Sequence, residues 1–170
     1  LGLKVPYVKQ FYDVSKSQVG AYLSYDVTLT FDRPNQAKRL EILRNLDILA
    51  EDIKSFPLVK RTSSLADIVK DINQVMHDKD AAYYRIPDEQ EDLSQLLLAY
   101  KNAAGDEIKN WVDPGYRTLR LMGEITDFNT LEVERELRQI EQWAAKLFPQ
   151  ATFGMAGGVV NDGAAGPVGR

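Results

Sequence analysis

The chain has 170 residues, no cysteine and a formal net charge of −4, with 21 lysines and arginines interspersed among 25 acidic residues. This length builds one ordinary domain with a hydrophobic core, and an acidic balance without a basic stripe excludes a nucleic-acid partner. The absence of cysteine excludes disulfides and thiolate metal sites, and no apolar run reaches the roughly 20 residues that a membrane-spanning helix needs.

The two ends of the chain differ in composition from its middle. The chain begins without methionine, and residues 157–170, GGVVNDGAAGPVGR, contain too few large apolar side chains to order themselves. We interpret residues 1–20 as an N-terminal extension, residues 21–157 as one domain, and residues 158–170 as a flexible, vector-derived tail. The ends therefore predict an excised fragment of a longer protein.

A first strand-helix-strand unit opens the domain. Residues 22–31, YLSYDVTLTF, alternate between apolar and polar positions, which is the period of a half-buried strand. The helix after the DRPN turn has apolar residues at steps of four and three, and it ends at Pro57. These apolar residues are Ile42, Leu46, Leu49, Ile53 and Phe56. The short LVKRT segment after the proline predicts a second strand.

Two predicted helices then form an insert over about residues 64–105. Ser64 is placed to cap the first helix, and Asp67 lies in its first turn, where the helix dipole favours negative charge. Asp88 is placed to cap the second helix, with Glu91 at the capping-box position and Gly105 as its stop. The apolar stripe of the first helix consists of Leu65, Ile68, Val69, Ile72, Val75 and Met76. The apolar face of the second consists of Leu93, Leu96, Leu97 and Tyr100.

A second unit repeats the pattern of the first. After the DPG turn, the strand YRTLRLMGEI precedes a helix with the same apolar steps, and QATFGMA supplies a final strand. The apolar residues of this helix are Val133, Leu137, Ile140, Ala144 and Leu147. Phe148-Pro149 then corresponds to Phe56-Pro57. An internal duplication explains the repetition, and coincidence is the alternative, because amphipathic helices share this spacing.

Two such units predict an α+β fold of the ferredoxin-like, split βαβ type. In this arrangement the four strands form one antiparallel sheet, and the two long helices lie on one of its faces. The helical pair of residues 64–105 is then one contiguous insertion between the two units. Because Phe56 and Leu147 occupy equivalent places on the two long helices, we expect both to be deeply buried.

The chain's single histidine and its acidic neighbours are the candidates for a catalytic or metal site. His77, Asp78 and Asp80 lie close in sequence, but they include no second imidazole and no recognisable nucleophile-base pair. The sequence also lacks the phosphate-binding, dinucleotide-binding, nucleophile-elbow and HExxH motifs, and the GMAGG stretch ends a strand. We therefore expect no catalytic residue, no cofactor and no metal.

The segment DAAYYRIPD, residues 80–88, joins the two insert helices. We interpret it as an ordered connector in which Tyr83, Tyr84 and Ile86 bury against both helices. Pro87 fixes the direction in which the chain approaches the second helix, and Arg85 points outward or reaches a carboxylate of a neighbouring helix. A catalytic loop is the alternative interpretation.

The order of these segments resembles the extracytoplasmic domain of exporters of the RND superfamily, MMPL-like branch. The resemblance rests on SSLADIVKDINQVMHD after the first unit, then YYRIPD, then a helix with LLLAY and a late YRTLRL strand. It covers about residues 21–157. Each motif is short, and their order carries the resemblance.

The resemblance implies a fold, a location and a class of activity. It implies a porter-like domain on the extracytoplasmic, periplasmic side of the cytoplasmic membrane, attached to the membrane helices of a proton-driven exporter of lipids or hydrophobic compounds. Such a domain is not an enzyme, and the family's proton-relay carboxylates lie in membrane helices outside this sequence. The partners implied are a hydrophobic or lipid substrate, further copies of the chain, or a periplasmic protein.

A groove between the helical insert and the sheet is the substrate surface that we predict. Aromatic and methionine side chains adapt to varied apolar ligands, and the residues predicted to line the groove are Tyr83, Tyr84, Tyr100, Trp111 and Met122. Burial of each in the core is the alternative. A free-standing ferredoxin-like enzyme or small-ligand-binding domain also remains open, because that fold hosts many functions.

Overall fold

A computed structural model describes residues 23–127 and 129–159 of the chain. The predicted N-terminal extension, Tyr22 of the first strand and the part of the predicted tail beyond Val159 lie outside these residues. Eight helices and strands follow one another in the described part. They are β1 (Leu23–Thr30), α1 (Leu40–Lys54), β2 (Val59–Ser63), α2 (Leu65–Val75), α3 (Gln90–Ala104), β3 (Thr118–Ile125), α4 (Thr130–Leu147) and β4 (Thr152–Val159).

The four strands form one antiparallel sheet in the order β2-β3-β1-β4. In the centre of the sheet, Val27 of β1 lies opposite Leu121 of β3 and Met155 of β4. This strand order is that of two split βαβ units, because each strand pair closed by a long helix leaves a gap that a strand of the other unit fills. The predicted ferredoxin-like α+β fold is confirmed.

The core lies between the sheet and the long helices α1 and α4, which contact each other. Tyr25, Val27 and Leu29 project from β1 into this core, because alternate residues of a strand share a face. The helix residues predicted for α1 are all buried, Phe56 among them. On α4, Val133, Ile140 and Ala144 are buried.

Leu147 corrects the predicted alignment of the two units. It is only half-buried, whereas the neighbouring Phe148 is buried and meets Phe31 edge-on at 6.4 Å between ring centroids. Helix α4 ends at Leu147, and Phe148 has φ −132° and ψ 63°, which lie outside helical geometry. The core position at the end of α4 is therefore filled by Phe148, the first residue after the helix, and not by Leu147.

Strand β1 is buried on both faces, which corrects the prediction of a half-buried strand. The polar side chains of Ser24, Asp26 and Thr28 are as inaccessible as the apolar ones between them. The buried charge of Asp26 is tolerated because Arg120 of β3 forms an ion pair with it. A carboxylate removed from water requires such a partner.

The insert begins as the sequence predicts. The Ser64 hydroxyl accepts a hydrogen bond from the Ala66 N–H, and the Asp67 carboxylate accepts one from the Ser64 N–H, so the two residues form a capping box. Residues Leu65–Val75 are helical and contain no strand. At the other end, Gly105 terminates α3 with φ 61°, a backbone angle that favours glycine.

Three details of the predicted insert are wrong. Helix α3 begins at Gln90, and Asp88 does not cap it, because the Asp88 carboxylate accepts a hydrogen bond from Arg85. Val75 and Met76 are exposed, whereas Lys70 and Asn73 of the same helix are buried. The third detail is the end of the insert, which continues beyond Gly105 through the 3₁₀ turn Gly105–Asn110. Outside the insert, β4 extends to Val159, two residues into the predicted tail.

Hydrogen bonds and ion pairs fasten the insert to α1 and to the residues just before it. Gln90 of α3 accepts a hydrogen bond from the Leu40 N–H at 2.7 Å and donates one to the Lys38 carbonyl at 3.0 Å. In α2, Lys70 Nζ lies 2.7 Å from Asp47 Oδ1 of α1. These bonds fix how the insert sits beside the two strand-helix-strand units.

Candidate functional site

The connector between α2 and α3 is held by a buried side chain of α2. Asn73 Nδ2 donates hydrogen bonds to the carbonyl oxygens of Tyr83 (2.9 Å) and Arg85 (3.1 Å). Before this point, Asp78 and Lys79 adopt positive φ angles of 58° and 63°, which reverse the chain after α2. The predicted ordered connector is therefore present, and polar contacts set its course.

Tyr83 lies in a stack of three side chains. Its ring is parallel to the His77 imidazole, with 3.8 Å between centroids and 1° between planes, and the Arg85 guanidinium lies 5.5 Å from its centroid. His77 Nδ1 donates a hydrogen bond to the Asn73 carbonyl at 2.8 Å. Because a carbonyl only accepts, Nδ1 of His77 carries a proton.

Tyr84 sits at the junction of the connector with α1 and α2. Its ring faces Lys70 Nζ at 5.0 Å, and the same ammonium group binds Asp47. Burial acts to lower the pKa of Lys70, but the hydrogen bond and charge of Asp47 outweigh it, so the pKa is raised. The charged form of Lys70 is thus stabilised by a carboxylate on one side and an aromatic face on the other.

The connector buries fewer of its large residues than the sequence predicted. Ile86 and Pro87 are buried, but Tyr83 is half-buried and Tyr84 is exposed. The ring of Tyr83 contacts His77 and Arg85, and the ring of Tyr84 faces Lys70, whereas the sequence predicted apolar neighbours for both rings. Arg85 points outward, as predicted, and reaches Asp88 of its own connector at 3.0 Å.

Two adjoining cavities open beside this connector. Their volumes are about 150 Å³ and about 210 Å³, and Asn73, His77 and Asp92 line both. Sites for drug-sized ligands usually measure about 300 Å³ or more, so these cavities admit only small groups. Over the part of the chain that the structure describes, no three His, Asp or Glu side chains are grouped to hold a metal ion.

The five residues predicted to line a groove fall into three places. Tyr83 and Tyr84 lie in the connector. The buried Tyr100 of α3 donates a hydrogen bond to Glu107 Oε2 at 3.2 Å, and burial together with that carboxylate raises its pKa. Trp111 lies over the Arg120 guanidinium at 5.5 Å, and Met122 is two residues from Arg120, on the same face of β3. Tyr83 and Tyr84 are thus neighbours in the connector, and Trp111 lies beside Arg120 of β3.

Exposed apolar side chains concentrate on the insert. Six large apolar residues are exposed in the described part of the chain, and four of them belong to α2, the connector or α3. Those four are Val75 (61% exposed), Met76 (60%), Tyr84 (42%) and Leu98 (58%). The other two, Ile48 and Leu131, lie on α1 and α4. Contiguous apolar side chains left in water mark a contact surface, and of these four residues Val75 and Met76 are adjacent in the chain.

Two buried polar groups were missed from the sequence. The first is the ion pair in which Arg120 Nε and Nη2 donate to Asp26 Oδ1 at 3.1 and 2.8 Å. Burial raises the pKa of Asp26, and the Arg120 guanidinium opposes that rise. In the sequence, this ion pair is indicated by opposite charges at polar positions of two predicted strands. The second is Glu136, whose signal was a carboxylate on the apolar face between Val133 and Ile140.

Comparison with known proteins does not identify a family. No protein-family model matches the sequence, and no curated protein is similar enough to it to count as a relative. Among residues 23–127 and 129–159, no helix has the length and apolarity needed to cross a lipid bilayer.

Proposed function

We propose that this chain is the extracytoplasmic domain of a proton-driven exporter of the RND superfamily, MMPL-like branch. The domain contributes to the passage of lipids or other hydrophobic compounds, or to contact with a partner protein. Support comes from the strand order β2-β3-β1-β4 with a helical pair inserted between β2 and β3. A porter-like sheet with a helix immediately after the first unit is what the resemblance implies.

The observation that carries the proposal is the concentration of exposed apolar side chains on the insert. Burying apolar surface stabilises a complex by about 25 cal/mol per Å², so such side chains favour an apolar contact. Val75 is the last residue of α2, Met76 follows it directly, and Tyr84 lies in the connector. The insert is therefore the part of the domain that meets a hydrophobic substrate or partner.

The shape of the site favours contact over enclosure. The cavities beside His77 are small and lined by Asp88, Glu89 and Asp92, so they offer little to an acyl chain. The exposed side chains lie on the outside of the insert. A lipid or a partner protein accordingly lies against this surface while the membrane helices of the parent transporter carry the proton flux.

Binding of a fluorescent fatty acid to the 170-residue chain tests this proposal. We expect a dansyl-labelled fatty acid to bind, and the double variant Met76→Ser, Tyr84→Ala to bind at least about tenfold more weakly, equivalent to about 1.4 kcal/mol. The matched control, Ile48→Ser with Leu131→Ser, removes two exposed apolar side chains outside the insert. Both variants are checked for retained folding by circular dichroism.

Two outcomes contradict the proposal. The first is a wild-type chain that does not bind the probe, and the second is equal weakening by the control variant. The reading frame of the parent gene separates the proposal from a free-standing ferredoxin-like domain. Apolar segments long enough to span a membrane on both sides of this chain support the exporter, whereas a complete gene of this size contradicts it.

A further inference from the structure

Glu136 is a carboxyl group sealed inside the domain. It lies on α4, is 0% exposed, and touches two other parts of the fold. The Tyr25 hydroxyl of β1 donates a hydrogen bond to Glu136 Oε1 at 3.2 Å, and the Leu58 N–H, just before β2, donates a long one to Oε2 at 3.4 Å. The side chain thus joins α4, the centre of the sheet and the chain leading into β2.

The charges around Glu136 do not balance a carboxylate. On its own helix, Glu132 adds a second negative charge, and Arg135 is bound to that residue. Strand β1 contributes the neutral Tyr25. Gly123 of β3 lies opposite Tyr25, and its neighbour Glu124 is engaged by Lys60 and Arg61. In the ranges that the structure describes, no lysine or arginine forms an ion pair with Glu136.

The local charge is therefore zero only when Glu136 carries a proton. Glu132 and Arg135 cancel each other, so an ionised Glu136 adds one uncompensated charge in a site closed to water. Such a charge is unfavourable unless it is paired. Burial, with the hydrogen bond to Glu132, raises the pKa of Glu136 to about 7, while the Leu58 N–H and the Tyr25 hydroxyl act to lower it.

We propose that Glu136 is a proton-binding site that couples the packing of α4 to pH. The protonated carboxyl is the form that its buried position and the neighbouring Glu132 favour, whereas the Tyr25 hydroxyl and the Leu58 N–H favour the ionised form. When the proton leaves to solvent, Glu136 and Glu132 become two negative charges one turn apart on α4, and this repulsion, together with the buried charge, weakens the packing of α4 against the sheet. This inference does not depend on the transport proposal.

The sign of the pH dependence follows from the direction of the shift. The folded pKa of Glu136, about 7, lies above its ordinary value of 4.5, so the folded state holds the proton more tightly than the unfolded chain. The stability that Glu136 contributes is fully present below pH 4.5 and is lost as the pH rises through 7. Within this window the free energy of unfolding falls with increasing pH.

Carboxyl carbon NMR of the whole chain tests the site directly. Titration between about pH 4 and pH 9 is expected to show one glutamate resonance with a midpoint near 7, absent from Glu136→Gln. A midpoint for Glu136 at the ordinary glutamate value of about 4.3 overturns the proposal. This measurement needs only the wild-type protein for its midpoint, so it holds even if the variant folds poorly.

Hydrogen exchange tests the coupling to packing. The protection factor of the Ile140 amide in α4 is expected to fall at least about tenfold between about pH 6 and pH 8 in the wild-type chain, which is the change expected when one proton controls the packing of this helix. It should stay constant in Glu136→Gln, whose neutral amide cannot ionise. The control Glu134→Gln removes an exposed carboxylate of the same helix and should behave as wild type. An Ile140 protection factor that is independent of pH in the wild type contradicts the coupling.

Discussion

Gln90 caps a helix to which it does not belong. Its Oε1 accepts a hydrogen bond of 2.7 Å from the Leu40 N–H, the first residue of α1, and its Nε2 donates to the Lys38 carbonyl at 3.0 Å. Arg39, the residue before α1, makes no capping bond with its own side chain. A residue of the insert therefore satisfies the start of a helix in the first repeat unit.

Gln90→Ala is expected to destabilise the domain by about 1 kcal/mol, the usual loss when a helix cap is removed. Urea unfolding followed by circular dichroism measures this change. Gln95→Ala is the control, because Gln95 is also exposed on α3 and gains the same helix propensity. Equal stability of the two variants would show that the cap contributes nothing.

The buried pair of Asp26 and Arg120 predicts opposite results for single and double substitution. Asp26→Asn leaves the Arg120 guanidinium without its carboxylate, and we expect a loss on the order of 3 to 5 kcal/mol. Replacing both residues, Asp26→Val with Arg120→Met, removes the two charges together and should cost less than Asp26→Asn alone. Chemical denaturation of the three proteins decides, and a double variant that is the least stable of them refutes the expectation.

The ring of Tyr25 lies so close to position 123 that only glycine fits there without a shift. A Cβ at this position would lie 2.6 Å from Tyr25 Cε1, a distance that forces the ring or the strand to move. Gly123→Ala should therefore cost about 1 to 3 kcal/mol, as overpacked cores do. At Gly115 the nearest atom is 3.6 Å away and φ is not positive, so Gly115→Ala should cost nothing. Thermal unfolding of both variants makes the comparison.

The contact between Lys70 and Asp47 is expected to be stronger than an ion pair on the surface. The Lys70 side chain is only 7% exposed, whereas Lys54 and Glu51 form a pair at 2.9 Å with 41% and 54% exposure. Double-mutant cycles to alanine should give a coupling of about 1.5 to 3 kcal/mol for the first pair and below about 1 kcal/mol for the second. Similar coupling energies would mean that the insert is not fastened through Lys70.

Phe148 and Leu147 should differ in their effect on stability. Phe148→Ala empties a buried position beside Phe31, and we expect a loss of about 3 to 5 kcal/mol. Leu147→Ala should cost clearly less, because that side chain is already partly in water. Unfolding in guanidinium provides both values, and a larger loss for Leu147 would restore the alignment that the sequence predicted.

The parts of the fold that follow from periodicity could be predicted from the sequence. The alternation of β1 and the four-three steps of α1 are properties of single segments, so Leu46 and Ile53 were placed in the core without knowledge of the rest. The capping box of Ser64 and the stop at Gly105 also depend only on local backbone geometry. These features located every long helix and strand of the described part.

The candidate site depended on contacts that no local pattern contains. Asp26 and Arg120 are 94 residues apart, and their pairing follows from the register of β1 against β3. The sequence predicts apolar neighbours for Tyr83, but the imidazole of His77, six residues earlier, provides a flat surface for its ring. Asp88 was expected at a helix cap, but the nearby Arg85 competes for its carboxylate. Competition among polar partners decided each of these positions.

The pairing of Leu23 with Val159 places the first and last described residues side by side at one corner of the sheet. Antiparallel strands lie about 5 Å apart, so tension applied to the two ends pulls β1 and β4 away from each other at that corner. The hydrogen bonds between these two strands then break one after another, starting from that corner. The domain therefore offers little mechanical resistance along this direction, and the junction of β1 with β4 is where a stretched chain would begin to come apart.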